Sequence, residues 1–185
     1  MCFRRGKGTS GKQGHARAAV GGEHAVGPGD PRFPGHALED VRDALASLGL
    51  ARSADFKLWM MVEVPSNIIL MNKFIDVGLD GISIGSNDLT QLTLGVDRDS
   101  PKLADVFDER DEAVLWSLER AISITNRRRV TSSICGQAPS VYPELTAKLV
   151  AWGINSVSVN PDMIEHTRGV IARVEEDLGM HSPSS

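Results

Sequence analysis

Residues 57–88, KLWMMVEVPSNIILMNKFIDVGLDGISIGSND, carry a strand, a helix and a second strand in close succession. Lys57–Val64 is a run of apolar, β-favouring residues closed by Pro65, which lacks a backbone donor and ends the strand. Ser66 stands where a helix cap belongs, and Ile68, Ile69, Met71, Phe74, Ile75 and Val77 follow at helical spacing until Gly78. Gly81–Ile84 (GISI) is then the next strand. Two strands joined by one helical crossover are parallel, and the crossover is right-handed.

The same rhythm continues toward the C-terminus. SNDLTQLTLGVDRDS reads as a longer loop, followed by a helix from about Asp111 to Arg127, a strand Val130–Ile134 and the turn CGQAPS. A helix Glu144–Trp152 stopped by Gly153, a strand Ser156–Val159 and a helix from Met163 to about Leu178 complete the series. On the N-terminal side, Leu38, Val41, Leu45 and Leu48 repeat at helical spacing before Gly49. Every strand reads as apolar nearly throughout, as expected where helices cover the outside and a core fills the inside, with Trp59, Met60 and Met61 taken as core. Residues 1–36, rich in Gly, Arg, His and Pro, offer no continuous apolar face and are expected to be a disordered or aberrant leader. The folded part is expected over residues 37–178, with a disordered tail over 179–185.

Charge is divided unevenly. Residues 1–36 carry six basic and two acidic side chains, whereas the rest carries fourteen basic and twenty-two acidic ones, a net −8. An acidic body is a poor partner for nucleic acid. No apolar run approaches the roughly 18 residues needed to span a bilayer. Cys2 and Cys135 supply neither a metal-ligand pair nor a CxxC spacing, so a reducing, cytoplasmic location is expected.

Two α/β architectures fit the repeat: an open doubly wound sheet and a (β/α)8 barrel. Polar residues end every strand: Glu63 the first, Asn87 and Asp88 the second, Cys135 the third, Asn160 the fourth. Function spread over the C-terminal ends of successive strands is the habit of the barrel. A complete barrel takes about 250 residues. Four βα units amount to half of one, the C-terminal half of a TIM barrel.

Glu63 sits in apolar surroundings (MMVEVP), where a carboxylate needs a metal or a salt-bridge partner. Asp88 follows SIGSN, whose small residues allow backbone amides to approach an anion. As Glu63 and Asp88 end neighbouring strands, their oxygens can meet over one cation; two carboxylates completed by water and phosphate oxygens form the magnesium pattern, and no nearby Cys or His argues for zinc. Cys135, in ICGQAPS, has no neighbouring His in sequence and suits proton donation better than nucleophilic attack; inert packing is the other reading. Arg98, between Asp97 and Asp99, is either a surface arginine held by its neighbours or a fork for phosphate. Gln91 and Gln137 either orient substrate oxygens or brace loops. Asn160 reads as a turn residue, Arg127–Arg129 as a solvated helix end, and His166 as solvent-facing.

Five blocks, MMVEVPSNIIL (60–70), DGISIGSNDLTQLTLGVDRDS (80–100), FDERDEAV (107–114), SSICGQAPS (132–140) and NSVSVNPD (155–162), resemble the C-terminal PEP-utilising barrel shared by phosphoenolpyruvate synthase, pyruvate phosphate dikinase and the first enzyme of the sugar phosphotransferase system. The wording is closest to the phosphoenolpyruvate synthase (pyruvate, water dikinase) branch. The resemblance implies Mg²⁺ held by Glu63 and Asp88, Asn87 and Arg98 on phosphoryl oxygens, Gln137 near the substrate, and Cys135 as proton donor to the methylene carbon of enolpyruvate. It implies pyruvate and phosphoenolpyruvate as ligands. Family members also use a phosphohistidine domain, an ATP-binding domain and a first barrel half, none of which these residues supply. Self-association, or a chain bringing the complementary half, is therefore expected, because half a barrel exposes two strand edges.

Overall fold

The computed structural model of the chain describes residues 2–4, 17–20, 43–44, 46–49, 57–100 and 102–179. Three strands carry the centre: β3 (Lys57–Val62), β4 (Gly81–Gly85) and β5 (Thr131–Cys135), with β6 (Ser156–Ser158) beside β5. All four are parallel in the order β3-β4-β5-β6. Between them run α1 (Pro65–Ile69), α2 (Met71–Asp76), α3 (Ser86–Leu94), α4 (Glu112–Arg128), α5 (Ala138–Val141) and α6 (Pro143–Trp152), and α7 (Ile164–Asp177) closes the series. A four-stranded parallel sheet flanked by helices is the arrangement of half a (β/α)8 barrel.

Most of residues 1–36, with the tail after 179, lies outside the described residues. Its two described segments are strands: β1 (Cys2–Arg4) pairs antiparallel with β6, and β2 (Arg17–Val20) pairs parallel with β3. Among the described residues the sheet is open and keeps two edges, as expected of half a barrel, but they belong to β1 and β2 rather than to β6 and β3. The outer ladders of β6 and β3 are each taken by a short strand, which satisfies backbone groups that would otherwise face solvent.

The strands have two unlike faces. Val62, Ile82, Ile84, Ile134 and Val157 lie in the core with Val114, Leu118, Ala121 and Ile122 of α4 and Leu145 and Leu149 of α6. The α4 residues recur at helical spacing, so one stripe of that helix seals the sheet. Asp111 caps α4 by accepting from Ala113 N at 2.8 Å, and Arg129 ends it in the left-handed conformation. Register puts Trp59, Met61, Gly81, Ser83, Thr131, Ser133 and Ser156 on the other face. A strand apolar nearly throughout is found in β3; the expectation is corrected for β4, β5 and β6, whose second face is built of small and hydroxylated residues, and for Ser132, a hydroxyl on the covered face. Trp59 and Met61 belong to the second face; only Met60 packs on the helix-covered core. A ring explains the glycine opposite Trp59: a Cβ at Gly81 would stand 2.4 Å from it.

Two further expectations change. The single helix over 66–77 is two short ones, with Val64 rather than Ser66 at the first cap and a turn at Leu70 between them. The stretch SNDLTQLTL is helix α3, not loop. Gly85 precedes it, Asp88 lies in its first turn where an acidic group is favoured, Leu89 and Thr90 are buried, and Gly95 stops it at φ 67°.

Polar groups at the N-terminal ends of the strands are used up structurally. The Asp80 carboxylate accepts from Leu58 N at 2.8 Å and Lys57 Nζ at 3.2 Å, and Asn155 Oδ1 accepts from Ser132 N at 2.8 Å. The opposite end is different.

Candidate active site at the C-terminal ends of the strands

Glu63 directly follows β3. Its backbone N–H and that of Val64 both donate to Asn67 Oδ1 at 3.2 Å, so the turn into α1 fixes the main chain and leaves the carboxylate to project. The side chain lies across the end of β4: a Cβ at Gly85 would stand 2.9 Å from Glu63 Cγ and 3.2 Å from Oε1. Burial, and then the charge of Asp88, push the Glu63 carboxyl above its ordinary value. Glu63 and Asp88 thus feel each other across the β3–β4 junction, and neither forms an ion pair among the described residues. Asp88 reaches this place because α3 starts immediately after Gly85, whose conformation is extended.

Cys135 ends β5, in register with Gly85. Its thiol is half-buried; it accepts from Ser83 Oγ at 3.6 Å and donates to Ile84 O at 3.4 Å. Gly136 follows at φ 117°, a conformation open to glycine, and a Cβ there would meet Ser86 Oγ at 2.2 Å and Asn87 Oδ1 at 3.5 Å. The turn after Cys135 is therefore seated on the first residues of α3. Glu63, Asn87, Asp88 and Cys135 converge over three adjacent strand ends.

The remaining candidates stand further out. Arg98 is on the turn after α3; its Nε is 3.7 Å from Asp99 Oδ1, with the two side chains 42% and 85% exposed. Gln91 Oε1 accepts from Arg98 N at 3.4 Å and so braces that turn. Gln137 is exposed beside Gly136, and its carbonyl accepts from Ser140 N at 2.9 Å. Asn160 is a turn residue whose N–H donates to Ser140 Oγ at 3.2 Å, and His166 faces solvent.

Sequence reasoning missed one side chain. Glu109 is only 5% exposed, next to Ser86, and burial pushes its carboxyl up, opposed by the Ser86 hydroxyl. Neither Ser86 Oγ nor Glu109 Oε1 has a hydrogen bond of ordinary geometry among the described residues. In DERDE the residue reads as one of a solvated charge run, and nothing local marks it as the inward one.

The profile of the PEP-utilising enzyme, PEP-binding domain family matches residues 35–176. This chain belongs to that family. It is 54% identical over 143 residues to a phosphoenolpyruvate synthase of Aeropyrum pernix, covering 76% of this chain and 17% of that protein. To the phosphoenolpyruvate synthase of Helicobacter pylori it is 50% identical over 125 residues, covering 68% of the chain and 15% of the relative. The chain thus spans about one sixth of the length of such relatives. Among solved structures, the citrate lyase beta subunit of M. tuberculosis complexed with oxaloacetate and magnesium superposes with a TM-score of 0.52 at 16% identity, over 74% of this chain and 69% of that one. A citrate lyase of Burkholderia xenovorans gives 0.51 at 17% identity, over 78% and 46%. These two likenesses concern the fold alone.

Among the described residues no three His, Cys, Asp or Glu side chains gather as a metal cluster, and no helix is long and apolar enough to cross a membrane. The acidic constellation at the strand ends is the Glu63/Asp88 pair.

Proposed function

We propose that this chain forms the metal-holding and proton-donating side of a phosphoenolpyruvate/pyruvate site, as a fragment or subunit of a phosphoenolpyruvate synthase. The observation that carries the reading is the meeting of Glu63 and Asp88 at the ends of β3 and β4, with Cys135 at the end of β5. Two neighbouring carboxylates, neither with a basic partner among the described residues, suit a hard divalent cation, whose other positions are taken by water and substrate oxygens. Glu63 and Asp88 would hold Mg²⁺, which when bound stabilises negative charge growing on substrate oxygens.

The side chains around the pair have distinct tasks. Asn87, in the first turn of α3, donates to phosphoryl oxygens, helped by the free N–H groups of that turn. Cys135 gives its proton to the methylene carbon of enolpyruvate, and in the synthetic direction its thiolate takes one from the methyl group of pyruvate. Gln137 orients a substrate oxygen. Arg98 serves as a cationic clamp after leaving Asp99, a solvent-exposed contact that costs little to break.

In the parental reaction, ATP, pyruvate and water give AMP, phosphoenolpyruvate and phosphate. A phosphohistidine, loaded from ATP on separate domains, exchanges its phosphoryl group with pyruvate at this site. The other barrel half comes from another chain or a second copy. The alternative is a catalytically incomplete half-barrel that binds Mg²⁺ and phosphoenolpyruvate or docks onto a homologue.

Calorimetric titration of Mg²⁺ in the presence of oxalate tests the site. Saturable binding lost in Glu63→Ala and in Asp88→Ala is the expected result. Unaltered binding in either variant contradicts the assignment.

A further inference from the structure

Glu109 lies outside the set of residues that would touch ligand, yet it is the most deeply buried carboxylate among the described residues. Its flanks anchor the segment that carries it. Arg110 N and Nε donate to Asp108 Oδ1 at 2.8 and 3.0 Å, its Nη1 donates to Glu144 Oε1 at 3.4 Å on α6, and its guanidinium stacks 4.4 Å from the centre of the Tyr142 ring. With Arg110 tied outward to α6, Glu109 points inward to Ser86. Ser86 in turn abuts the backbone of Gly136, close enough that a Cβ there would stand 2.2 Å from its Oγ.

The chain of contacts runs from Glu109 to Ser86, the first residue of α3, and from Ser86 to Gly136, the residue after Cys135. Asp88 is two positions beyond Ser86 on the same helix turn. Ser86 Oγ and Glu109 Oε1 are buried with no hydrogen bond of ordinary geometry to any other described residue, so the longer Glu109–Ser86 approach is the contact left to them; Thr90 and Thr93, whose hydroxyls are likewise buried and unpartnered among the described residues, share the Ser86 face of α3 by their spacing. A buried carboxylate set beside the start of a site helix, with the like charge of Asp108 next to it, is costly to keep for packing alone.

We infer that Glu109 is a positioning residue: through Ser86 it holds the start of α3 against the Cys135–Gly136 turn and so sets the placement of Asp88 relative to the Cys135 thiol. The inference deepens the proposed site and its ligand arm rests on that reading; its second arm does not. Arg110 is the outer half of the same device, fixing the segment from which Glu109 reaches inward.

The test uses the full chain carrying Cys2→Ser, so that alkylation by iodoacetamide reports Cys135. Without ligand, Glu109→Leu is expected to raise the alkylation rate about fivefold by loosening the turn, and Ser86→Ala to do the same, with the double variant no faster than either. Glu109→Gln, which keeps length and an acceptor oxygen, stays within about twofold of the parent. Val170→Ala, a buried change on α7 outside the central core cluster, leaves the rate unaltered under conditions where all variants are folded. In the second arm, Mg²⁺–oxalate affinity drops about tenfold in Glu109→Leu and is restored in Glu109→Gln. A parental rate in Glu109→Leu, or an equal rise in Val170→Ala, overturns the inference. Should Glu109→Leu not fold, Ser86→Ala and Glu109→Asp decide by the same criterion, the shorter carboxylate giving an intermediate rate. If the parent binds no Mg²⁺–oxalate while the alkylation pattern holds, the ligand reading fails and the positioning role stands.

Discussion

Alanine at position 136 combines two separable penalties, and the structure provides a control for each. Gly136 has φ 117°, outside the left-handed well that other residues tolerate, and an added Cβ would stand 2.2 Å from Ser86 Oγ. Backbone strain of this kind costs about 1–3 kcal/mol, and forcing an extra methyl into a filled site costs about as much again, so Gly136→Ala is expected to lose about 2–6 kcal/mol. Gly95 has φ 67° with nothing within 4 Å of its added Cβ. Gly95→Ala therefore meets only the left-handed penalty, about 1–2 kcal/mol. Adding Ser86→Ala to Gly136→Ala removes the 2.2 Å contact and leaves the nearest Ser86 atom at the 3.4 Å of its Cβ. The double variant should then recover about 1–3 kcal/mol of the loss, the overpacking share. Urea unfolding with constant slope measures all four proteins. Equal losses for Gly136→Ala and Gly95→Ala, or no recovery on adding Ser86→Ala, would refute the claim that the Cys135 turn is seated on the start of α3.

Other expectations follow from the same geometry. Glu63 and Glu109 both have carboxyls raised above the ordinary 4.5, so the folded chain holds their protons more tightly than the unfolded one; stability falls as pH rises from about 4.5 through the raised values and then levels, and Glu63→Gln or Glu109→Gln should flatten that fall in urea titrations across pH. Asp111→Ala removes the cap on Ala113 N and should cost about 1 kcal/mol, read from the unfolding midpoint. Leu118→Ala empties a fully buried position under the sheet and should cost about 2–5 kcal/mol in the same assay.

Much of this arrangement is legible in the sequence because strand and helix periods alternate cleanly. The strands around 57–64, 81–84 and 130–134 fall where apolar runs meet Gly and Pro boundaries, and a residue of the proposed site stands at or within a few positions of each strand's end. Helix α3 escapes the same reading because Ser86, Asn87, Asp88 and Thr90 are turn-favouring side chains; what makes them helical is tertiary, the burial of Leu89 and Thr90 and the seat offered by Gly136. The two faces of β5 are visible in TSSIC only once register with GISIG is known. Glu109 is hidden for a related reason: in DERDE, sequence gives four acidic groups equal standing around one basic group, and only the anchoring of Arg110 on Glu144 and Tyr142 turns one of the acids inward. Arg98 shows the converse, a residue prominent in its motif that rests on Asp99 away from the strand ends.

The proposed site stands or falls on Glu63, Asp88 and Cys135 facing one ligand. The most direct measurement is the alkylation rate of Cys135 in the Cys2→Ser chain, with and without Mg²⁺ plus oxalate. Protection that requires both ions and disappears in Glu63→Ala and Asp88→Ala is the predicted result; a rate indifferent to Mg²⁺–oxalate, or protection that survives loss of both carboxylates, would contradict it.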